Sequence, residues 1–191
     1  MFIRTERLFL RPAWAEDAHD LLGAIADERV VRNLAAAPWP YGIDDARGFI
    51  ARLQDRRHPS LLITVPSANG SRLVGGVGLK AEQGRAELGY WLTPEVWGRG
   101  YATEAGRAVL RIASVLGHVR IGAYHFLDNP ASGRVLEKLG FRYTGRISER
   151  PSAGRPGASL SREYTLCLGG GALDDDGGSP SDDCDMGRRA A

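Results

Sequence analysis

The sequence predicts an α/β domain on a mixed sheet, an antiparallel meander joined to a parallel β-α-β unit with helices on both faces. Three observations carry this. Apolar runs at 60–65, 72–80 and 85–92 follow one another, separated by the turn signals Pro66, Asn69-Gly70 and Gln83-Gly84. Downstream, helical and strand periods alternate, which calls for a parallel crossover. A chain of 191 residues, 43% of them hydrophobic, can build one core but not two.

In chain order, RLFLR at 7–11 reads as a first strand. Residues 16–26 and 44–57 read as helices. In the second, Ala46, Phe49, Ile50 and Leu53 recur at helical spacing behind Asp44 as N-cap. After the meander come a long helix at 103–116, a strand at 119–126, a helix at 131–139, and strands at 141–147 and 160–168. The unit running from strand 85–92 through helix 103–116 to strand 119–126 is expected to be parallel and right-handed. Ligands of such sheets sit beyond the carboxyl ends of the parallel strands. One domain is therefore expected over 1–168. Residues 169–191, Gly-, Ser- and Asp-rich with little to bury, are expected to form a disordered acidic tail.

The net charge of +2 is uneven, because the tail holds six Asp against two Arg. The mildly basic remainder suits a polyanionic nucleotide ligand; base composition explains 23 Arg against two Lys equally well. No stretch approaches the roughly 20 apolar residues of a membrane helix. Arg4, Glu6, Arg7 and Arg11 interrupt the first dozen residues, so no secretory leader is expected. The expectation is a cytoplasmic monomer or homodimer without nucleic-acid or membrane partners. His19, His58, His118 and His125 are scattered, so no metal is expected. Cys167 and Cys184 read as free thiols.

The chemistry-bearing segment is ELGYWLTPEVWGRGYATEA, residues 87–105. Thr93-Pro94 stops the strand, since proline cannot donate to the ladder. Gly98, Gly100 and Ala102 then leave alternate positions small, and a helix begins. Uncovered N–H groups over 98–103, with the unpaired first N–H groups and positive end of a helix, describe a pyrophosphate cradle. Larger residues at Gly100 or Ala102 are expected to block close approach. Neither a P-loop nor the dinucleotide fingerprint is satisfied, and glycines at such a junction also serve simple turns.

The run Trp97-Gly98-Arg99-Gly100-Tyr101-Ala102 resembles motif A of the GNAT acetyltransferases, which winds around the pyrophosphate of coenzyme A. Trp97 departs from the usual Gln or Arg, as in the branch that includes the ribosomal-protein alanine N-acetyltransferases. TERLFLRP (5–12) and DNPASGRVLEKLGF (128–141) are similar to motifs of that branch, and the resemblance spans about 165 residues in order. It implies a GNAT-like fold and acetyl-CoA as cosubstrate. The implied acceptor is an amine, either a peptide N-terminus or a small molecule such as a polyamine, aminoglycoside or amino acid. Tyr90, Trp91 and Leu92 would offer main-chain groups to the pantetheine arm, like an inserted strand. Gly98, Arg99, Gly100, Tyr101, Ala102 and Thr103 would hold the pyrophosphate. Asn129 would meet the pantetheine or thioester, or cap a helix before Pro130.

For the chemistry, Glu87 is the candidate base, sharing a strand face with Gly89 and Trp91. Its alternatives are an ion pair with Arg or electrostatic binding of the amine. Ser132 is the candidate acid or hydrogen-bond donor to the thiolate, or else a helix cap. A tyrosine common in the family is replaced by Leu136, which cannot donate. Tyr124 or His125 is expected to face the cleft, and Trp39, Pro40 and Tyr41 to border the acceptor. A cofactor-binding sensor without turnover is the competing class.

Overall fold

The computed structural model describes residues 1–52, 55–68, 70–82 and 84–168. The tail expectation for 169–191, Cys184, and the expected roles of Leu53, Asn69 and Gln83 lie outside these.

Among the described residues, eight strands and five α-helices follow in the order β1 (Ile3–Arg4), β2 (Phe9–Arg11), α1 (Ala18–Ile25), α2 (Glu28–Val31), α3 (Ile43–Ala51), β3 (Ser60–Ser67), β4 (Gly70–Glu82), β5 (Arg85–Leu92), α4 (Tyr101–Val115), β6 (Arg120–Phe126), α5 (Pro130–Lys138), β7 (Arg142–Arg150) and β8 (Ser159–Cys167). The sheet order is β1-β2-β3-β4-β5-β6-β8-β7, all neighbours antiparallel except β5 and β6. The mixed α/β class, the meander and the single parallel crossover are as expected. The last strand, β8, inserts between β6 and β7, so the final hairpin lies with its second strand inward.

Three local readings are corrected. The helix expected over 44–57 ends at Ala51. Its N-cap is Gly42, two residues before Asp44, and the Asp45 carboxylate accepts the Gly42 N–H at 2.8 Å. The four-residue α2 was not expected; Asp27 caps it by accepting the Arg29 N–H at 2.8 Å. Cys167 is disulfide-bonded rather than a free thiol.

Strand alternation splits the core between two faces. Leu61, Ile63, Leu88 and Leu92 pack with α4 and α5. Leu62, Leu73 and Trp91 pack with α1, α2 and α3. The buried stripe of α4 is mostly small, with Ala102, Ala105, Gly106, Ala108 and Ala113 beside the larger Val109 and Leu110. No helix among the described residues is long and apolar enough to cross a membrane.

Candidate active site

The site begins with a gap in the sheet. The Thr93 N–H donates to the Val74 carbonyl at 2.9 Å. By antiparallel alternation, the odd residues of β5 then exchange main-chain bonds with β4, and Leu88, Tyr90 and Leu92 direct theirs to the β6 side. On that side the paired residues are Ala86 with Ile121 and Glu87 with Gly122. Beyond them the two parallel strands part. Of the three residues expected to offer main-chain groups, Tyr90 and Leu92 therefore border the gap, whereas the Trp91 backbone pairs with Gly76. The Trp91 indole lies across Gly76, where an added Cβ would come within 2.6 Å of Nε1. Trp97, in place of the family's polar residue, donates its indole N–H to the Leu92 carbonyl at 2.9 Å and closes one end of the gap.

The loop after β5 makes one 3-10 turn at Pro94–Val96 and then enters α4. Gly98 and Gly100 are left-handed, with φ of 75° and 79°, and Gly100 is the N-cap. The first bond of α4 runs from the Glu104 N–H to the Gly100 carbonyl at 3.0 Å. Among the described residues, no main-chain N–H from 98 to 103 donates to a protein acceptor. A Cβ at Gly98 would meet nothing within 4 Å, while one at Gly100 would point at Arg7 Nη2, 3.5 Å away. Both glycines line the cleft, and at both a side chain would strain a left-handed backbone.

The N-terminal segment fixes this loop from behind, a role for Thr5, Arg7 and Glu104 that the sequence did not disclose. Glu104 Oε1 accepts the Thr5 hydroxyl at 2.6 Å and the Arg7 N–H at 2.8 Å; Oε2 accepts Arg7 Nε at 2.7 Å. Arg7 Nη1 donates to the Arg99 carbonyl at 2.9 Å, and its guanidinium lies over Tyr101. Partial burial raises the Glu104 pKa, but these donors outweigh it and hold the carboxyl below its usual range. Glu104→Gln is expected to weaken coenzyme A binding about 10-fold by loosening the loop, since a charged hydrogen bond contributes about 1.5–3 kcal/mol. A calorimetric titration with unchanged affinity would remove Glu104 as the anchor.

Opposite the loop stands the start of α5. Asn129 is its N-cap, Oδ1 accepting the Ser132 N–H at 3.3 Å, with Pro130 at the first helical position. Ser132 Oγ lies 2.8 Å from the Tyr90 hydroxyl, which also donates to the Ser132 carbonyl at 3.0 Å. Burial pushes the Tyr90 pKa to about 12, against the lowering effect of the Ser132 bond, so the phenol stays protonated. Leu136, one turn on, is 1% exposed in the core.

Glu87 is 5% exposed, and both its oxygens are held, Oε1 by Lys80 Nζ at 3.0 Å and Oε2 by Arg150 Nη1 at 3.1 Å. Burial alone would lower the Lys80 pKa, but Glu87 raises it past the ordinary value, keeping the ammonium charged. Arg150 also stacks on the Tyr124 ring, 4.1 Å from its centroid. His125 is buried, with Nδ1 at 2.8 Å from the Phe126 carbonyl.

These groups share a cleft of about 860 Å³. Glu87, Tyr90, Trp91, Leu92, Asn129 and Ser132 line it. So do Gly98, Gly100, Ala102 and Thr103, and so do both Tyr124 and His125. Arg99 and Tyr101 do not; the Arg99 carbonyl and the Tyr101 ring meet Arg7. Of the expected aromatic wall Tyr41 lines the cleft, and Trp39 and Pro40 do not. Arg134 and Lys138, one helical turn apart on α5, add two cations from within the 128–141 motif that the sequence reading did not single out. Among the described residues, no group of three or more His, Cys, Asp or Glu could hold a metal ion.

Over most of its length the chain is similar to known proteins. The family model described as the acetyltransferase (GNAT) domain matches residues 7–142. An uncharacterised N-acetyltransferase of Bacillus subtilis, YoaA, is 31% identical over 161 residues, covering 77% of this chain and 86% of that one. A GNAT-family acetyltransferase of Bacillus anthracis superposes with a TM-score of 0.73 at 24% identity, over 87% of this chain and 98% of that one. RimL, a ribosomal-protein alpha-N-acetyltransferase solved with coenzyme A, superposes with a TM-score of 0.72 at 18% identity, over 87% and 98%. The chain belongs to the GNAT acetyltransferase family and is an acetyl-CoA-dependent acyltransferase.

Proposed function

We propose that the protein moves acetyl from acetyl-CoA to the α-amine of a peptide or protein N-terminus, by direct attack within a ternary complex. The observation that carries the cofactor side is the set of undonated N–H groups at 98–103 beside the open β5 edge, in one cleft. In this reading those groups hold the diphosphate, with Arg134 and Lys138 near its negative charge. Tyr90 and Leu92 pair with the pantetheine amides. The Asn129 cap uses Oδ1 and keeps its NH₂ for the pantetheine or thioester carbonyl. Holding both reactants in line supplies most of the acceleration.

The acceptor end supports a peptide over a polycation. Its acids Asp44, Asp45 and Glu87 are matched by Arg29, Arg52 and Lys80, and its wall includes the apolar residues Pro38, Tyr41 and Phe49. A polyamine or aminoglycoside pocket needs net negative charge, and this one is balanced. RimL, named for a ribosomal-protein acceptor, points the same way. The setting is the cytoplasm, as monomer or homodimer, since a polyanionic acyl donor does not cross a bilayer unaided. The test is thiol release from acetyl-CoA with alanine- and serine-initiated peptides, spermidine, kanamycin and free amino acids. Peptide-dependent release is expected. Coenzyme A binding without release on any amine would establish the sensor instead.

With both oxygens in ion pairs, Glu87 balances the charge of Lys80 and Arg150 where the amine arrives, rather than taking its proton; the amine reacts from its neutral fraction. Glu87→Gln is expected to lower kcat/KM about 10-fold, equally at neutral and high pH, because it leaves Lys80 with only Glu82 and Arg150 with only Glu163 as counterions and makes the site net positive where the amine arrives. A loss that fades as pH approaches the amine pKa would make Glu87 the base.

A further inference from the structure

We propose that the Tyr90 side chain is a positioning residue for the leaving sulfur, acting through Ser132. This rests on the acetyl-CoA reading above. The Tyr90 hydroxyl has one proton and two acceptors in reach, the Ser132 carbonyl at 3.0 Å and Ser132 Oγ at 2.8 Å. With the proton on the carbonyl, the phenol oxygen accepts the serine O–H, and the pair is closed on itself. With the proton on Oγ, the serine O–H is released to a third partner. Rotation of two hydroxyls converts one state to the other without moving a heavy atom.

The third partner is the sulfur. As the amine nitrogen bonds to the acetyl carbon, the C–S bond breaks and its electron pair stays on sulfur. A chain from Tyr90 O–H to Ser132 O–H to the thiolate then forms, each bond polarising the next. The neutral thioester sulfur accepts hydrogen bonds weakly, so the chain contributes mainly once charge develops, the condition for raising kcat. No proton need leave either residue. The adduct nitrogen loses its proton to solvent, and the thiolate is protonated from the same pool. A phenol whose pKa stands near 12 remains a donor throughout. Leu136 offers no hydroxyl, and the strand supplies one instead.

Two measurements test this. The first needs no acceptor: titration of the thiol of bound coenzyme A by its thiolate absorbance. Wild type is expected to lower that pKa by about one unit relative to free coenzyme A. Tyr90→Phe, Ser132→Ala and the double variant are expected to restore it equally. The second is a double-mutant cycle on thiol release. Tyr90→Phe is expected to lower kcat about 10-fold with acetyl-CoA KM unchanged, and to cost nothing further beside Ser132→Ala. That cycle separates the roles, because Ser132→Ala keeps the carbonyl that Tyr90 anchors. If Tyr90 only pins α5, its loss costs the same in both backgrounds and the proposal falls. It also falls if coenzyme A binds with the same thiol pKa in all four proteins, leaving the cofactor reading standing. Absence of coenzyme A binding would overturn both.

Discussion

Gly98→Glu is expected to weaken coenzyme A binding at least 100-fold while the fold survives. The position is left-handed, φ 75°, so any side chain there costs about 1–2 kcal/mol in backbone strain. A Cβ meets nothing within 4 Å, so packing adds no further cost. What changes is charge. A carboxylate about 4–5 Å from a diphosphate, at the effective dielectric of a protein surface, is repelled by roughly 3–4 kcal/mol, or more than two decades in affinity. Gly98→Ala carries the same strain without the charge and separates the two effects: its Tm should match that of the Glu variant and its coenzyme A affinity should stay within about 10-fold of wild type. If titration finds the two variants binding equally well, the anion does not lie against residues 98–103.

The same loop shows where sequence reasoning reaches and where it stops. Small residues at 98, 100 and 102 before a helix are a local signal, and the two left-handed glycines follow from it. The meander and the crossover were legible because periods of two and near four are written in adjacent residues. Glu104 bonding to Thr5 and Arg7 joins positions 97 to 99 residues apart. No period links them, although TERL and ATEA each stood out as motifs. The Tyr90–Ser132 contact spans 42 residues and depends on how far β5 and β6 part, which only the sheet decides. The position of β8 between β6 and β7 is likewise a choice among pairings that the local pattern leaves equal. Helix α2 is too short, at four residues, for its periodicity to register. The Glu87 face was correct, but its partners come from β4 and β7, so whether it was a base or an ion-pair member was not written in the strand.

Asp17→Asn is expected to destabilise the fold by about 3 kcal/mol, the low end for breaking a buried ion pair. Arg11 of β2 donates to Asp17 through two nitrogens, at 2.7 and 2.6 Å, and the Trp14 N–H adds a third bond at 2.7 Å. The side chains are only 11% and 8% exposed. The pair ties β2 to the entry of α1, and hence holds the helical layer that walls the acceptor end. Asparagine keeps an acceptor for the Trp14 N–H but leaves the buried Arg11 charge without its ion-pair partner, with only the more distant Asp20 to offset it. At roughly 2–4 °C per kcal/mol for a chain of this size, Tm should fall by about 6–12 °C. The pH dependence distinguishes this cause from lost packing. Burial raises the Asp17 pKa, but the Arg11 and Trp14 donors outweigh it and leave the folded value below the unfolded one. Such a group stabilises at pH above its unfolded pKa, near 4, and the benefit is lost as pH falls through the folded value. The Tm gap between wild type and Asp17→Asn should therefore be full at neutral pH and close in acid, where Asp17 is as neutral as asparagine. Replacing both partners, as Arg11→Met with Asp17→Leu, should recover most of the loss, because it removes the unpaired charge. A gap that persists unchanged into acid would mean that shape at this position, not charge, holds β2 against α1.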